Sequence, residues 1–94
     1  MKCLLALLLV SSVAASGWHE SEGGLIKWDT DCWWSMHISD AIASKAAAPE
    51  ECGGFCILTS GCKAFDWGDG VCYAYSRTST VVDKAGWMCG YREF

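Results

Sequence analysis

The sequence predicts a small α+β domain in which one short helix packs on an antiparallel sheet and disulfide bonds join the two. Three observations carry this prediction. Six cysteines follow an apolar leader, two of them lie four residues apart in a stretch with helical features, and two strand-like runs flank a Gly-Asp-Gly turn. A chain this small has a thin hydrophobic core, and disulfides are the usual compensation.

Residues 1–16 have the three parts of a secretory signal peptide. Lys2 supplies the positive start, residues 4–10 form an apolar run, and residues 13–16 are small, as at a cleavage site. The apolar run is too short to span a bilayer, and no second one follows it, so no membrane insertion is expected. We expect cleavage after Ala15 or Ser16 and a secreted, extracellular product. An N-terminal arm over residues 17–29 and one domain over residues 30–92 would remain.

Removal of this leader changes both the cysteine count and the charge. Of the seven cysteines one is lost, and an even number in a small secreted chain predicts three disulfides. Loss of Lys2 changes the formal net charge from −4 to −5. A net negative charge makes nucleic acid, heparin or an anionic membrane an unfavourable partner.

The helix is predicted over residues 49–58. Pro49 suits the first helical position, where its missing N–H would have had no partner, and the two glutamates that follow are favourable in the first turn. Cys52 and Cys56 are spaced i, i+4 and therefore lie on one face. The two glycines between them each cost about 1 kcal/mol relative to alanine. We expect that they allow the helix to lie close to the sheet.

A β-hairpin over residues 62–67 and 71–76 is the strongest local prediction. Alternation along the two strands predicts a small face that receives the helix and an aromatic face on the other side. The small face carries Cys62, Ala64, Cys72 and Ala74, and the aromatic face carries Phe65, Trp67, Val71, Tyr73 and Tyr75.

Further strands are predicted at residues 28–38, 40–42 and 87–92, with a loop or weak strand over residues 77–86. Trp33 and Trp34 are neighbours in the first of these strands. Because successive strand residues face opposite sides, one of the two should point to the core and the other to solvent or a ligand.

Six cysteines allow fifteen pairings, and the predicted elements narrow them. The short turn between the helix and the hairpin brings Cys56 close to Cys62. The other end of the helix then meets the second hairpin strand, which pairs Cys52 with Cys72. Cys32 remains for Cys89 and joins the first and last strands.

The cysteine pattern carries a family resemblance. The runs are E-x-C-x-x-x-C at residues 50–56, C-x-x-F at residues 62–65, and a cysteine in the second hairpin strand, with Cys32 and Cys89 as an outer pair. Over residues 30–91 this pattern resembles the PAN/Apple family. The resemblance implies a helix cradled by an antiparallel sheet of about five strands. It also implies a recognition module, since such modules mediate adhesion in larger proteins.

No catalytic residue, metal site or cofactor is predicted. His19 and His37 have no nucleophile in a recognisable catalytic arrangement, and cysteines in disulfides supply no thiol. Zinc sites favour C-x2-C spacing and reducing surroundings. The aspartates at residues 29–31 and 66–70 do not supply the ordered oxygen ligands of a calcium loop. We therefore expect a protein that is not an enzyme.

The aromatic residues predict a binding function. The sequence has six tryptophans, more than a thin core requires, and exposed aromatics beside polar groups suit sugar stacking or protein anchoring. The predicted ligand-binding residues are Trp34, Lys63, Trp67, Tyr73, Tyr75 and Arg77. The expected ligand is an extracellular protein or glycan. A free-standing secreted effector (an inhibitor, toxin-like or defence protein) and a structural component of the extracellular matrix remain as alternatives.

Overall fold

A computed structural model of the protein describes residues 17–93, so the predicted signal peptide lies outside the described residues. The strands are β1 (His19–Ser21), β2 (Ile26–Trp34), β3 (Ala43–Ala46), β4 (Ala64–Gly68), β5 (Val71–Tyr75) and β6 (Val81–Arg92). The α-helix α1 covers Cys52–Leu58, and 3-10 helices cover Glu22–Gly24, Ile38–Asp40 and Pro49–Glu51. The strands form one antiparallel sheet in the order β1-β2-β6-β4-β5-β3. The predicted helix on an antiparallel sheet is confirmed, but the sheet has six strands.

The sixth strand comes from the N-terminal segment that was expected to be a loose arm. β1 pairs with the start of β2, so that Ser21 lies opposite Ile26. Gly23 and Gly24, with φ of 66° and 91°, reverse the chain between the two strands. A residue with a side chain rarely adopts such backbone angles, so the Gly-Gly pair permits this tight reversal. The segment predicted as an arm therefore contributes β1 and the first residues of β2 to the sheet.

The helix follows the predicted pattern. Pro49 is the first residue of a 3-10 turn that leads into α1, and the buried residues of α1 are Cys52, Gly53 and Cys56. A Cβ atom on Gly53 would lie 3.2 Å from two side-chain carbons of Ile26 in the sheet. This confirms that a glycine allows close approach. Only one of the two glycines serves this purpose, because a Cβ on Gly54 would have its nearest neighbour at 3.8 Å.

All three predicted disulfides are present. The bonds join Cys32 to Cys89, Cys52 to Cys72 and Cys56 to Cys62, with Cα–Cα distances of 5.5, 5.5 and 5.4 Å. The last two fix α1 to β5 and to the segment before β4. The first joins β2 to β6 and lies in the core on the other face of the sheet.

The predicted division of the hairpin into a small and an aromatic face is wrong. Asp69 and Gly70 both have positive φ, 50° and 84°, as a two-residue hairpin turn requires, and Gly68 pairs with Val71. As a result, even-numbered residues of β4 lie opposite odd-numbered residues of β5, and odd-numbered residues of β4 lie opposite even-numbered residues of β5. Phe65 and Trp67 share the helix side with Cys72 and Ala74, whereas Ala64, Asp66, Tyr73 and Tyr75 share the opposite side.

Both faces of the sheet are consequently covered by apolar residues. The core under α1 contains Ile26, Cys52, Cys56, Cys62, Phe65, Cys72, Ala74 and Met88. The core on the other face contains Cys32, Trp34, Ala64, Tyr75 and Cys89, with Trp18, Met36 and Tyr91 packed against it. The sheet is the middle layer of the domain.

The other strand boundaries also differ from the prediction. The strand predicted over residues 28–38 is β2, which starts at Ile26 and ends at Trp34. The strand predicted at residues 40–42 is wrong, because the 3-10 helix Ile38–Asp40 occupies its start and β3 begins at Ala43. Residues 77–86 were expected to be a loop or weak strand, and β6 begins among them at Val81. This first half of β6 pairs with the end of β2 beyond an irregularity at Asp31, whose φ is 57°.

Candidate functional site

A cleft of about 490 Å³ opens on the helix side of the sheet, where α1 leaves parts of β2, β4 and β6 uncovered. The 3-10 turn at Glu22 and the 3-10 turn before α1 form its sides. The lining residues are Ser21, Glu22, Ile26, Trp28, Thr30, Asp31, Pro49, Glu50, Gly53, Phe65, Trp67, Gly86, Trp87 and Met88. A concave, mostly apolar site with a few polar groups is the usual form of a ligand pocket.

Two tryptophan rings from two different strands contribute to this lining. Trp28 is on β2 and Trp67 on β4, and both are half-buried. The indole N–H of Trp67 donates a 2.8 Å hydrogen bond to the carbonyl of Ala47, which fixes the ring. Trp87 on β6 also borders the cleft, but its ring lies on the opposite face of the sheet, against Gly68 and Tyr73.

Three carboxylates accompany the aromatic rings. The Ser21 hydroxyl donates to Glu22, the Gly86 N–H donates to Oδ1 of Asp31 at 3.1 Å, and Glu50 lies in the turn before α1. All three residues are exposed, and among residues 17–93 no Lys, Arg or His lines the cleft. The cleft therefore combines apolar walls with a negative rim.

The structure does not bring the six predicted ligand-binding residues together. Trp67 lines the cleft, but Tyr73 lies on the opposite face of the sheet, where its ring stacks on Trp87 at 6.2 Å. Tyr75 and Trp34 are 1% and 4% exposed and form part of the core. Two predicted cations, Lys63 and Arg77, are exposed but do not line the cleft. Of the neighbouring tryptophans, Trp34 is the inward one and Trp33 is half-buried.

Trp34 and Tyr75 instead surround a buried carboxyl group. Asp66 is 1% exposed and accepts hydrogen bonds from the Trp34 backbone N–H at 3.2 Å and from the Tyr75 hydroxyl at 3.0 Å. Burial raises the pKa of Asp66 to about 6, although both hydrogen bonds favour its charged form. Burial and then the Asp66 charge raise the pKa of Tyr75 above its usual value. The indole N–H of Trp34 donates to the carbonyls of Phe65 and Gly90.

Sequence reasoning missed the second tryptophan and the three carboxylates of the cleft, namely Trp28, Glu22, Asp31 and Glu50. It noted Trp28 as a strand residue, Asp31 in a rejected calcium motif, and Glu50 in a first turn and in the cysteine pattern. The missing information is the sheet order, which places β2 and β4 on either side of β6. No local pattern of residues 17–93 encodes that order.

Two further searches concern the described part of the chain. Within residues 17–93 no group of three or more His, Cys, Asp or Glu side chains is placed to hold a metal ion. None of the helices formed by these residues has the length and apolar character needed to cross a membrane.

Comparison with known proteins yields no relative. No protein-family model, no curated protein and no solved structure matches this chain significantly. The PAN/Apple resemblance therefore rests on the cysteine pattern, and a function has to be argued from the cleft.

Proposed function

We propose that this chain is a secreted, non-catalytic recognition module of PAN/Apple type that binds an extracellular protein or carbohydrate ligand. The observation that carries the proposal is the aromatic cleft beside α1. Its lining includes the rings of Trp28 and Trp67 around a floor that contains Phe65 and Met88. The binding surface is thus on the helix side of the sheet, and it differs from the hairpin face expected from the sequence.

Preorganisation of the rings supports a binding role. Tryptophans contribute a large contact area with few rotatable bonds, and rings already fixed in the free protein lose little entropy when a ligand binds. Trp67 is held by its hydrogen bond to Ala47, and the Trp28 ring packs on the His19 ring with 4.5 Å between the ring centres. A half-buried aromatic cleft of this kind is the part of a surface where binding energy concentrates.

The covalent framework supports the rest of the proposal. Three disulfides in a small domain are typical of proteins that fold and act outside the cell. The three disulfides are nested, since each shorter loop lies within the next longer one. This pairing and the helix on the sheet agree with what the PAN/Apple resemblance implies. These features support a secreted module of that type, for which recognition is the expected role.

The proposal is tested by applying the oxidised chain without residues 1–16 to an array of glycans and extracellular-matrix proteins. We expect a ligand whose affinity falls at least about tenfold in Trp67→Ala and in Trp28→Ala, as for anchor residues. Trp18→Ala is the matched control, because Trp18 is also half-buried but packs on Tyr91 on the opposite face. Thermal unfolding of each variant separates lost binding from lost fold.

Two results would contradict the proposal. One is a ligand that binds both cleft variants as tightly as the wild type. The other is the absence of any bound ligand on the array.

A further inference from the structure

The rim of the cleft carries negative charge that no ion pair within residues 17–93 balances. Glu22 and Glu50 are exposed and form no ion pair within residues 17–93. Lys27, the cation on β2, is already engaged by Glu20 at 2.6 Å and by Glu93 at 3.7 Å. Carboxylate oxygens can each accept more than one hydrogen bond, so the contacts of Glu22 and Asp31 with Ser21 and Gly86 leave acceptor capacity.

The aromatic walls of the cleft also favour a positively charged group in a ligand. The face of an indole ring attracts ammonium and guanidinium groups, and tryptophan is the strongest of the aromatic residues in this respect. The chain itself contains such a pair outside the cleft, because Nζ of Lys84 lies 4.8 Å from the ring centre of Trp33. The indole rings of Trp28 and Trp67 beside three carboxylates therefore make two independent contributions toward a cation.

From these observations we infer that the occupant of the cleft is a basic segment of a partner protein, with Lys or Arg side chains next to apolar ones. The inference rests on the proposed binding function and narrows its ligand. The apolar floor at Phe65 and Met88 suits aliphatic or aromatic side chains, and the carboxylate rim suits the positive groups beside them.

A carbohydrate fits the cleft less well. A neutral sugar can donate hydroxyl hydrogen bonds to the three carboxylates but has no charge to balance theirs, and an acidic sugar is repelled by them. Amide side chains often bind sugar hydroxyl groups, and this sequence has no Asn and no Gln. Charge complementarity therefore selects the protein ligand from the two classes that the proposed function includes.

The test is a random-peptide display library selected on the oxidised chain without residues 1–16. We expect the selected peptides to be enriched in Arg and Lys next to aromatic or aliphatic residues. Replacing the Arg and Lys residues of a selected peptide by Gln should weaken its binding at least about tenfold, and replacement by Glu should weaken it further. Raising the salt concentration from about 0.05 M to about 0.5 M should weaken the Arg and Lys peptide only.

Charge reversal on the protein provides the matched comparison. Glu50→Lys should lower the affinity for the basic peptide about three- to tenfold, because an attraction at the rim becomes a repulsion. Glu51→Lys is the control, since Glu51 is exposed in the same 3-10 turn and carries the same charge but does not line the cleft. It should leave the affinity unchanged.

The results separate this inference from the function on which it rests. Selection of neutral or acidic peptides, no selection at all, or equal effects of Glu50→Lys and Glu51→Lys would overturn the inference. If a glycan binds instead and Trp67→Ala abolishes that binding, the cleft is a recognition site but its ligand is not basic. If neither library nor array yields a ligand, both proposals fail.

Discussion

Asp66 is the one buried charged residue among the described residues, and its two hydrogen-bond donors do not fully compensate for the loss of water. The pKa of its carboxyl group is about 6 in the folded protein, above the usual value of 3.8. The folded state thus binds a proton more tightly than the unfolded state does. Between these two values, stability must fall as the pH rises, because the unfolded carboxyl ionises first and more easily.

The first prediction concerns this pH dependence. Asp66 should lower the free energy of unfolding by up to about 3 kcal/mol as the pH rises from about 4 to about 6, and Asp66→Asn should remove this change. The measurement is denaturant unfolding at a series of pH values with the disulfides intact. Asp69→Asn, at an exposed turn position that asparagine tolerates, is the control and should keep the wild-type profile. Parallel profiles for Asp66→Asn and the wild type would refute the prediction.

At the scale of elements, local patterns predict the kind of element better than its orientation. The helix, its proline start, the hairpin and the three disulfides follow from residue types and spacing. The face assignment fails because it depends on whether the turn has two residues or three. A three-residue turn at residues 68–70 would have placed Phe65 and Trp67 on the same face as Tyr73 and Tyr75. The register set by Gly68 and Val71 places them on opposite faces instead.

The same limit applies to the glycines. Helix propensity treats Gly53 and Gly54 alike, although only Gly53 faces the sheet. Its missing side chain lets α1 lie directly on Ile26, which is fully buried and has no free space to move into. The distinction needs the packing partner, which is more than twenty residues away in the sequence.

The second prediction compares alanine at these two positions. Gly54→Ala should raise the free energy of unfolding by about 0.5–1 kcal/mol, because alanine favours the helix and the new methyl group meets nothing closer than 3.8 Å. Gly53→Ala gains the same propensity but places a methyl group 3.2 Å from Ile26 and 3.0 Å from Oε1 of Glu22. Overpacking costs about 1–3 kcal/mol, so this variant should be less stable than the wild type. Thermal unfolding of the pair measures the difference, and equal stabilisation by both would show that α1 does not press on the sheet.

At the scale of the whole molecule, the cleft is a product of topology. Its two tryptophan rings come from residues 28 and 67, which line one cleft only because β2 and β4 both pair with β6. Glu22 and Glu50 contribute to the rim from two 3-10 turns, one between β1 and β2 and the other before α1. The number of aromatic residues predicted that some of them would be exposed to bind a ligand, and the predicted binding residues included Trp67. The remaining members required the strand order, which no residue type specifies.

The disulfides hold this topology together, and they differ in the length of chain that they close. Cys32–Cys89, Cys52–Cys72 and Cys56–Cys62 span 57, 20 and 6 residues. All six cysteines are at most 4% exposed, so replacing either partner by alanine removes a similarly buried group in each case. Differences among the three paired substitutions should therefore reflect mainly the loop that each bond closes.

The third prediction is the order of stability loss among these paired cysteine-to-alanine variants. Chain entropy assigns losses of about 4 kcal/mol to Cys32–Cys89, about 3 to Cys52–Cys72 and about 2 to Cys56–Cys62. Denaturant unfolding under non-reducing conditions measures the three values. The paired substitution leaves no unpaired thiol, so exchange with the remaining bonds cannot obscure the comparison. If loss of Cys56–Cys62 proved the most damaging, the disulfides would act chiefly by anchoring α1 to the sheet, since that bond closes the shortest loop but holds the helix at its end.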